Sequence, residues 1–148
     1  MLVARRLVVH SAEDVGMADP RALQIATSAM YALEKIGYPE ARIPLAEAII
    51  YVCEADKSNS VVNAMYAAVR DAHEVRDDNI PPYLKDNSKA SPEDKAQSKA
   101  YKYPHDYGGY VEQQYLPDSL KDKVYYVPTG NGYEKEVAEI RKRKGKKN

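Results

Sequence analysis

The sequence predicts an all-α domain with an irregular, tyrosine-rich segment in its second half. Apolar residues recur at intervals of three and four in four successive stretches before residue 76, the pattern of helices with one buried face. Short connections separate these stretches, which favours helices packed against one another rather than a β-sheet. The 148 residues are 44% hydrophobic and contain no Phe or Trp. Their number fits one domain, whose core must be filled by Leu, Ile, Val, Ala, Met and Tyr.

The first two helices are predicted from their apolar spacing and from the residues that end them. The first covers residues 2–15, and Gly16 ends it. Asp19 provides a cap and Pro20 a first-turn proline for the second helix, which Gly37 ends. The predicted buried face of this second helix consists of Leu23, Ala26, Met30 and Leu33.

A third and a fourth helix complete the core predicted for residues 1–76. The third begins near Pro44, and Ser58 caps the fourth. The fourth helix has apolar residues at helical spacing that predict its buried face: Val61, Val62, Met65, Ala68, Val69 and Ala72.

The second half of the chain is predicted to be less regular. Prolines interrupt the helices after residue 79, because proline lacks a backbone donor and restricts its neighbour. A polar loop over about 85–100 has few apolar residues to hold it and is predicted to be mobile. Residues 101–132 are predicted to form an irregular, tyrosine-rich cover over the helices. A final helix and a basic tail occupy residues 133–148, so residues 1–148 are predicted to be a single domain.

Charge is unevenly distributed along the chain. The 22 basic and 22 acidic residues cancel, but residues 141–148 contain six basic residues and no acidic one. Residues 1–140 therefore carry 16 basic and 22 acidic residues, a net charge of −6. A basic tail on an acidic body suggests contact with nucleic acid. The alternative function is thus a DNA-binding helical module, with candidate residues Arg141, Lys142, Arg143, Lys144, Lys146 and Lys147.

Motifs for nucleotide chemistry are missing from the sequence. It contains neither the phosphate loop G-x-x-x-x-G-K-[ST] nor the dinucleotide pattern G-x-G-x-x-G. We therefore assign no catalytic, cofactor-binding or metal-ligating residue, and we expect that this chain alone is not an enzyme. A less favoured alternative is a histidine-aspartate metal phosphohydrolase, suggested by the order of His73, the His105-Asp106 pair and a later Asp118 or Asp122. Pro104 and Gly108 place that pair in a turn, which favours a hydrogen-bonded loop pair.

The second and fourth helices have apolar residues on more than one face. A single buried stripe does not require this, so a second face must be covered. The candidate residues for an interface between identical subunits are Ile25, Ala29, Met65, Tyr66 and Val69. A closed homo-oligomer would cover them, and burial inside the monomer is the alternative.

Four strings in the sequence resemble the C-terminal region of the RarA/MgsA family. They are ARRLVVHSAEDVGMADPRAL (Ala4 to Leu23), DKSNSV (Asp56 to Val61), YKYPHDYGGYVEQQYLPD (Tyr101 to Asp118) and YYVPTGNGYE (Tyr125 to Glu134). The members are AAA+ ATPases of replication and recombination that are related to the eukaryotic Werner-helicase-interacting protein. The resemblance covers nearly the whole chain.

The resemblance implies a function for the chain as part of a longer ATPase. In the family, this region resembles the helical collar of clamp-loader subunits and mediates assembly into a homotetramer. ATP and Mg belong to a module upstream of it, and the longer protein hydrolyses ATP in a DNA-dependent way at stalled forks. Expected partners are a second copy of the chain, DNA through the full-length protein, and single-strand-binding protein. The expected location is cytoplasmic and associated with the nucleoid, without a membrane span, because the apolar run from Leu45 to Val52 is too short for one.

Overall fold

The computed structural model describes residues 1–75, 80–85 and 101–145. Its α-helices are α1 (Leu2–His10), α2 (Arg21–Ile36), α3 (Arg42–Glu54), α4 (Ser60–Glu74) and α5 (Glu134–Arg143). Because these ranges contain no strand, they confirm the predicted all-α class. Within the same ranges, no helix combines the length and the apolar character needed to cross a membrane.

After α1 the chain forms a short π-helix and then changes direction at a glycine. α1 continues as a π-helix over Ser11–Val15, and Gly16 follows with φ +51°. A Cβ atom on Gly16 would lie 2.8 Å from the carbonyl oxygen of Ser58, closer than side-chain carbons pack. The predicted end of the first helix at Gly16 is therefore confirmed, and glycine is required there because the backbone of another segment lies against it.

The core around α2 is built mainly from small residues. α2 packs against α1 and α3, and its buried residues are Ala22, Ala26, Ala29 and Leu33. The predicted buried position of Leu23 is wrong, since this side chain is exposed, while Met30 is half-buried. Alanines at the contact let neighbouring helices approach α2 closely, and this turns the bulkier Leu23 outward.

The predicted buried face of α4 is also largely wrong. Val62 and Ala68 are half-buried, but Val61, Met65, Val69 and Ala72 are exposed. α4 thus packs through Val62 and Ala68, and the rest of the predicted face is turned toward solvent. The predicted cap is confirmed, because the Ser58 Oγ accepts a hydrogen bond from the Ser60 N–H at 3.3 Å.

The chain divides into two compact units. The first comprises Met1–Ala68 and Tyr125–Asn148, and the second comprises Val69–Val124. In the first unit, the segment before α5 lies directly against the turn before α2, where the Tyr133 N–H donates to the Ala18 carbonyl oxygen at 2.7 Å. Gly132 has φ +49°, and a Cβ atom there would be 2.2 Å from the same oxygen. This close backbone contact fixes where α5 begins.

The second unit contains short 3-10 helices joined by irregular chain. These helices are Pro82–Leu84, Pro104–Tyr107 and Asp118–Leu120. The Gln113 amide holds the backbone of Lys102, donating to its carbonyl oxygen at 3.0 Å and accepting from its N–H at 3.1 Å. The predicted irregularity of the tyrosine-rich segment is confirmed. Most of the predicted mobile loop, residues 86–100, lies outside the described residues.

Candidate functional site

A fully buried carboxylate is the most highly connected polar group in the first unit. The Glu134 Oε2 accepts hydrogen bonds from the Ser58 Oγ at 3.0 Å and from the Thr129 N–H and Oγ1 at 2.7 and 2.5 Å. Its Oε1 accepts from the Tyr126 hydroxyl at 3.0 Å and from the Ser60 hydroxyl. Glu134 therefore joins the start of α4, the segment before α5 and α5 itself through one side chain.

These hydrogen bonds determine the protonation state of the carboxylate. Burial alone would raise the pKa of Glu134, but hydrogen bonds from Ser60, Thr129 and Ser58 outweigh it and lower the pKa from 4.5 to about 2. Burial and the neighbouring carboxylate raise the pKa of Tyr126 to about 12. An ionised carboxylate with all its acceptor positions occupied is a poor general base. Its chemistry fits a structural cross-link rather than catalysis.

A second polar arrangement lies where α2 begins. The Asp19 Oδ2 accepts a hydrogen bond from the Tyr51 hydroxyl at 2.6 Å, and its Oδ1 accepts from the backbone N–H and Nε of Arg21 at 3.1 and 3.3 Å. Burial would raise the pKa of Asp19, yet these hydrogen bonds keep it below its ordinary value. An open cleft beside them is also lined by Asp56, Tyr133 and other side chains. The predicted capping role of Asp19 is confirmed by its bond to the Arg21 N–H.

The predicted DNA-binding residues differ in how accessible they are. The Arg141 Nη1 donates to the Tyr126 carbonyl oxygen at 2.9 Å, and its guanidinium lies 4.8 Å from the centre of the Tyr126 ring. Arg141 is thus engaged within the chain. Lys142, Arg143 and Lys144 are exposed at the end of α5. Lys146 and Lys147 lie outside the described residues.

The predicted interface residues also fall into two groups. Met65, Tyr66 and Val69 are 48%, 64% and 47% exposed on α4. Ile25 is half-buried on α2, and Ala29 is buried in the core. Ala29 is therefore corrected from an interface candidate to a core residue, because its methyl group packs between helices of the same chain.

The histidines of the phosphohydrolase alternative occupy separate structural settings. His73 lies in the last turn of α4. His105 lies in the 3-10 helix Pro104–Tyr107 and packs on the Tyr103 ring at a centroid distance of 4.9 Å. Among the residues that the structure describes, no group of three or more His, Cys, Asp or Glu side chains is arranged to hold a metal ion.

Comparison with known proteins identifies the family. The model of the family described as MgsA AAA+ ATPase C terminal matches residues 1–144. The chain belongs to this family. The RarA/MgsA resemblance of the four strings is thereby confirmed.

Named relatives of this MgsA C-terminal chain occur in bacteria and in a eukaryote. Replication-associated recombination protein A of Bacillus subtilis is 44% identical over 131 residues, which are 88% of this chain and 31% of that protein. The protein of the same name from Escherichia coli K12 is 35% identical over 141 residues, 94% of this chain and 32% of that protein. ATPase WRNIP1 of Dictyostelium discoideum is 30% identical over 129 residues, which are 85% of this chain and 15% of that protein. The chain spans about a third of the length of these bacterial relatives.

Sequence reasoning missed both polar arrangements described above. Glu134 lies 76 residues from Ser58, and Tyr51 lies 32 residues from Asp19. One local signal pointed toward the first arrangement: an acidic residue follows a Gly-Asn-Gly turn at a helix start. Hydroxyl residues cluster in the DKSNSV string, but nothing in their spacing indicates that they meet this acid.

Proposed function

We propose that this chain is the oligomerisation collar of a longer RarA/MgsA-type AAA+ ATPase that acts in DNA replication, recombination and repair at stalled forks. Membership of the MgsA C-terminal family supports the link to an AAA+ ATPase. The names of the bacterial relatives support the link to recombination. In this proposal the collar associates into a homotetramer and holds the ATPase modules at fixed spacing.

The observation that carries the proposal is the apolar outer side of α4. Val61, Met65 and Val69 recur at intervals of four residues and are exposed, with Tyr66 beside them. Burying one such side chain stabilises an assembly by about 1.5–3 kcal/mol before the costs of association are subtracted. Contiguous apolar side chains of this size on a helix are typical of a protein contact.

In this proposal, ATP binds to and is hydrolysed by another region of the longer protein. The chain carries no phosphate-loop string, and it corresponds to about a third of its bacterial relatives. ATP and Mg would therefore bind to another region of the longer protein. Single-strand-binding protein and a location on the nucleoid remain proposals that rest on the family alone.

Light scattering after gel filtration tests the proposed assembly. We expect the 148-residue chain to have a mass near four chains over at least a tenfold range of concentration. Met65→Glu should lower this mass, because the new charge would be buried at the contact. Thr27→Glu on α2 is the charge-matched control, since Thr27 is exposed and lies two residues from Ile25, on nearly the opposite side of that helix. A wild-type chain that stays monomeric at every concentration would refute the proposal.

A second candidate function is DNA binding through the end of α5. It is favoured by three exposed cationic side chains in succession, Lys142, Arg143 and Lys144. We expect the affinity for duplex DNA to fall with salt, with a slope of about −0.9 for each phosphate contacted. Replacing all three by Ala should reduce this slope by about 2–3, whereas Lys35→Ala on α2 should leave it unchanged. Equal slopes for the wild type and the triple variant, measured by fluorescence anisotropy, would exclude this function.

A further inference from the structure

The tyrosine-rich segment of the second unit presents a group of aromatic rings to solvent. Tyr101, Tyr103 and Tyr115 are 41%, 53% and 49% exposed, and the ring of His105, which is exposed as well, packs on Tyr103. We call these four residues the aromatic surface. A large ring in contact with water retains apolar area that it could bury, so a group of such rings is typical of a surface that another molecule covers.

One side chain holds the aromatic surface in place. The Gln113 amide bonds both the N–H and the carbonyl oxygen of Lys102, and it also donates to the Tyr115 hydroxyl oxygen at 2.9 Å. A residue whose N–H and carbonyl meet the same neighbour is extended, and Tyr103 after it is extended too, with φ −74° and ψ 115°. Side chains two residues apart on an extended chain lie on one face, about 7 Å apart. Tyr101 and Tyr103 are therefore side by side, with Tyr115 next to them.

Further hydrogen bonds order the backbone that carries the rings. The Gln114 amide donates to the Leu116 carbonyl oxygen and to the Asp118 Oδ1, each at 2.8 Å. The Tyr83 hydroxyl donates to the Gln114 carbonyl oxygen. A surface that is already ordered loses less conformational entropy when it binds a ligand. This arrangement suits the rings to recognition of a partner.

The charges near the aromatic surface disfavour nucleic acid as its ligand. Residues 101–118 contain one lysine, Lys102, and three carboxylates, Asp106, Glu112 and Asp118. Proteins that stack bases on exposed rings combine those rings with a positively charged groove that follows the phosphates. Here the local charge is negative. The ligand that fits these rings is an extended chain without backbone charge.

We propose that the aromatic surface binds a proline-rich segment of a partner protein. Such a segment forms a polyproline II helix, whose apolar rings are exposed and whose carbonyl groups make no internal hydrogen bond. Domains that recognise this helix do so with grooves lined by aromatic side chains. The space between Tyr101 and Tyr103 would receive a proline ring, and tyrosine hydroxyls would donate to the unbonded carbonyls.

This inference is independent of the proposed oligomerisation. The aromatic surface shares no residue with the apolar side of α4, so the mass of the chain in solution tests one proposal and binding of a peptide tests the other. A monomeric chain that binds the peptide, or an oligomeric chain that does not, would separate them.

Titration with a synthetic decaproline peptide is the first test. We expect saturable binding to the full 148-residue chain, with shifts in the backbone amide NMR signals of residues 101–103 and 113–115. Tyr103→Ala should weaken binding about tenfold or more, the effect of losing one aromatic side chain from a contact. Tyr31→Ala is the matched control, because it removes an exposed tyrosine from α2 and should leave binding unchanged.

Two results would overturn the proposal. One is the absence of shifts with decaproline, or equal shifts with a glycine-serine peptide of the same length. The other is a Tyr103→Ala variant that binds decaproline as tightly as the wild type does. A circular dichroism spectrum equal to that of the wild type verifies that each variant is folded.

The role of Gln113 provides a second test. As a positioning residue it would hold the rings without contacting the peptide, so Gln113→Ala should weaken binding several-fold. In the Tyr103→Ala background the same change should add little, because the surface is already incomplete. Fully additive losses would show that Gln113 does not act through the aromatic surface.

A single-stranded oligothymidine distinguishes the two classes of ligand. We expect it to leave the signals of residues 101–103 and 113–115 unchanged, even if it binds at the end of α5. Decaproline binding should not weaken as salt is raised, because no phosphate is neutralised. If oligothymidine shifts these signals and decaproline does not, the rings stack on bases and the proposal is wrong.

Discussion

Replacing Glu134 should have the largest effect on stability of any single polar substitution in the described residues. The side chain is fully buried and accepts five hydrogen bonds from four residues. Glu134→Ala removes both carboxylate oxygens and leaves the groups that donate to them inside the fold without this acceptor. Breaking a buried, charged network in this way typically costs about 3–5 kcal/mol. In a domain of this size, that corresponds to a fall in melting temperature of roughly 10 °C or more.

The same hydrogen bonds make the stability of the chain depend on pH through the pKa of Glu134. The pKa of Glu134 is lowered from 4.5 to about 2 in the folded chain. A pKa difference of about 2.5 at ~1.4 kcal/mol per pKa unit amounts to about 3–4 kcal/mol. Because the folded pKa is the lower one, this stabilisation is complete above pH 4.5 and is lost as the pH falls toward 2.

Glu134→Gln removes the negative charge of the side chain while keeping its size and shape. The glutamine keeps one acceptor oxygen for the Thr129 N–H, and the hydroxyl donors can rotate toward its amide. We expect a loss of about 1–3 kcal/mol at pH 7 that becomes smaller as the pH approaches 2. Urea unfolding followed by circular dichroism between pH 2 and pH 7 measures this difference. Glu139→Gln, on the exposed side of α5, is the control and should change stability by less than about 0.5 kcal/mol.

An unchanged unfolding midpoint in Glu134→Ala at pH 7 would refute the reasoning. It would mean that the five hydrogen bonds do not form together in solution. A difference between wild type and Glu134→Gln that is constant from pH 2 to pH 7 would refute the lowered pKa, while leaving the hydrogen bonds in place.

Two further substitutions test the contacts around α2 and α5. Gly132→Ala should cost about 2 kcal/mol or more, since its φ is positive and its new Cβ would lie 2.2 Å from the Ala18 carbonyl oxygen. Gly145 also has a positive φ but open space around it, so Gly145→Ala should cost only about 1 kcal/mol. If the two variants lower the urea midpoint equally, the proposed clash at Gly132 is contradicted. Tyr51→Phe should raise the pKa of Asp19 in an NMR titration, because it removes a hydrogen bond to the carboxylate. No movement of that pKa would show that the hydroxyl does not reach Asp19 in solution.

The sequence predicted the helices well because their signals are local. Gly16 and Gly37 end helices where they were expected to, and Ser58 and Asp19 provide caps to nearby N–H groups. Which side of each helix is buried was predicted less well. Hydrophobicity favours Leu23 over Ala22 as a core residue, but the space between α2 and its neighbours admits only the smaller side chain.

The candidate sites were harder to predict because they depend on distant parts of the chain. The donors to Glu134 come from two separate segments, residues 58–60 and 126–129, and no spacing rule brings them together. The prediction that Arg141 binds DNA rested on charge alone. Its contact with Tyr126, fifteen residues away, could not be read from composition. The exposure of Ile43 and Ile50 on α3 was missed for the opposite reason, since isoleucines look like ordinary core residues in sequence.

The distribution of apolar residues would tie folding of this chain to the proposed assembly. Among the described residues, seven of the eleven buried apolar side chains are alanines, whereas Ile43, Ile50, Met65 and Tyr66 are exposed. A buried methyl group contributes far less than a buried isoleucine, because the gain scales with apolar area at roughly 25 cal/mol per Å². Much of the available hydrophobic stabilisation is therefore realised only when these exposed side chains are covered. Association adds to the free energy of unfolding by mass action, so the melting temperature should rise with protein concentration. The substitution Met65→Glu on the exposed side of α4 should remove that rise.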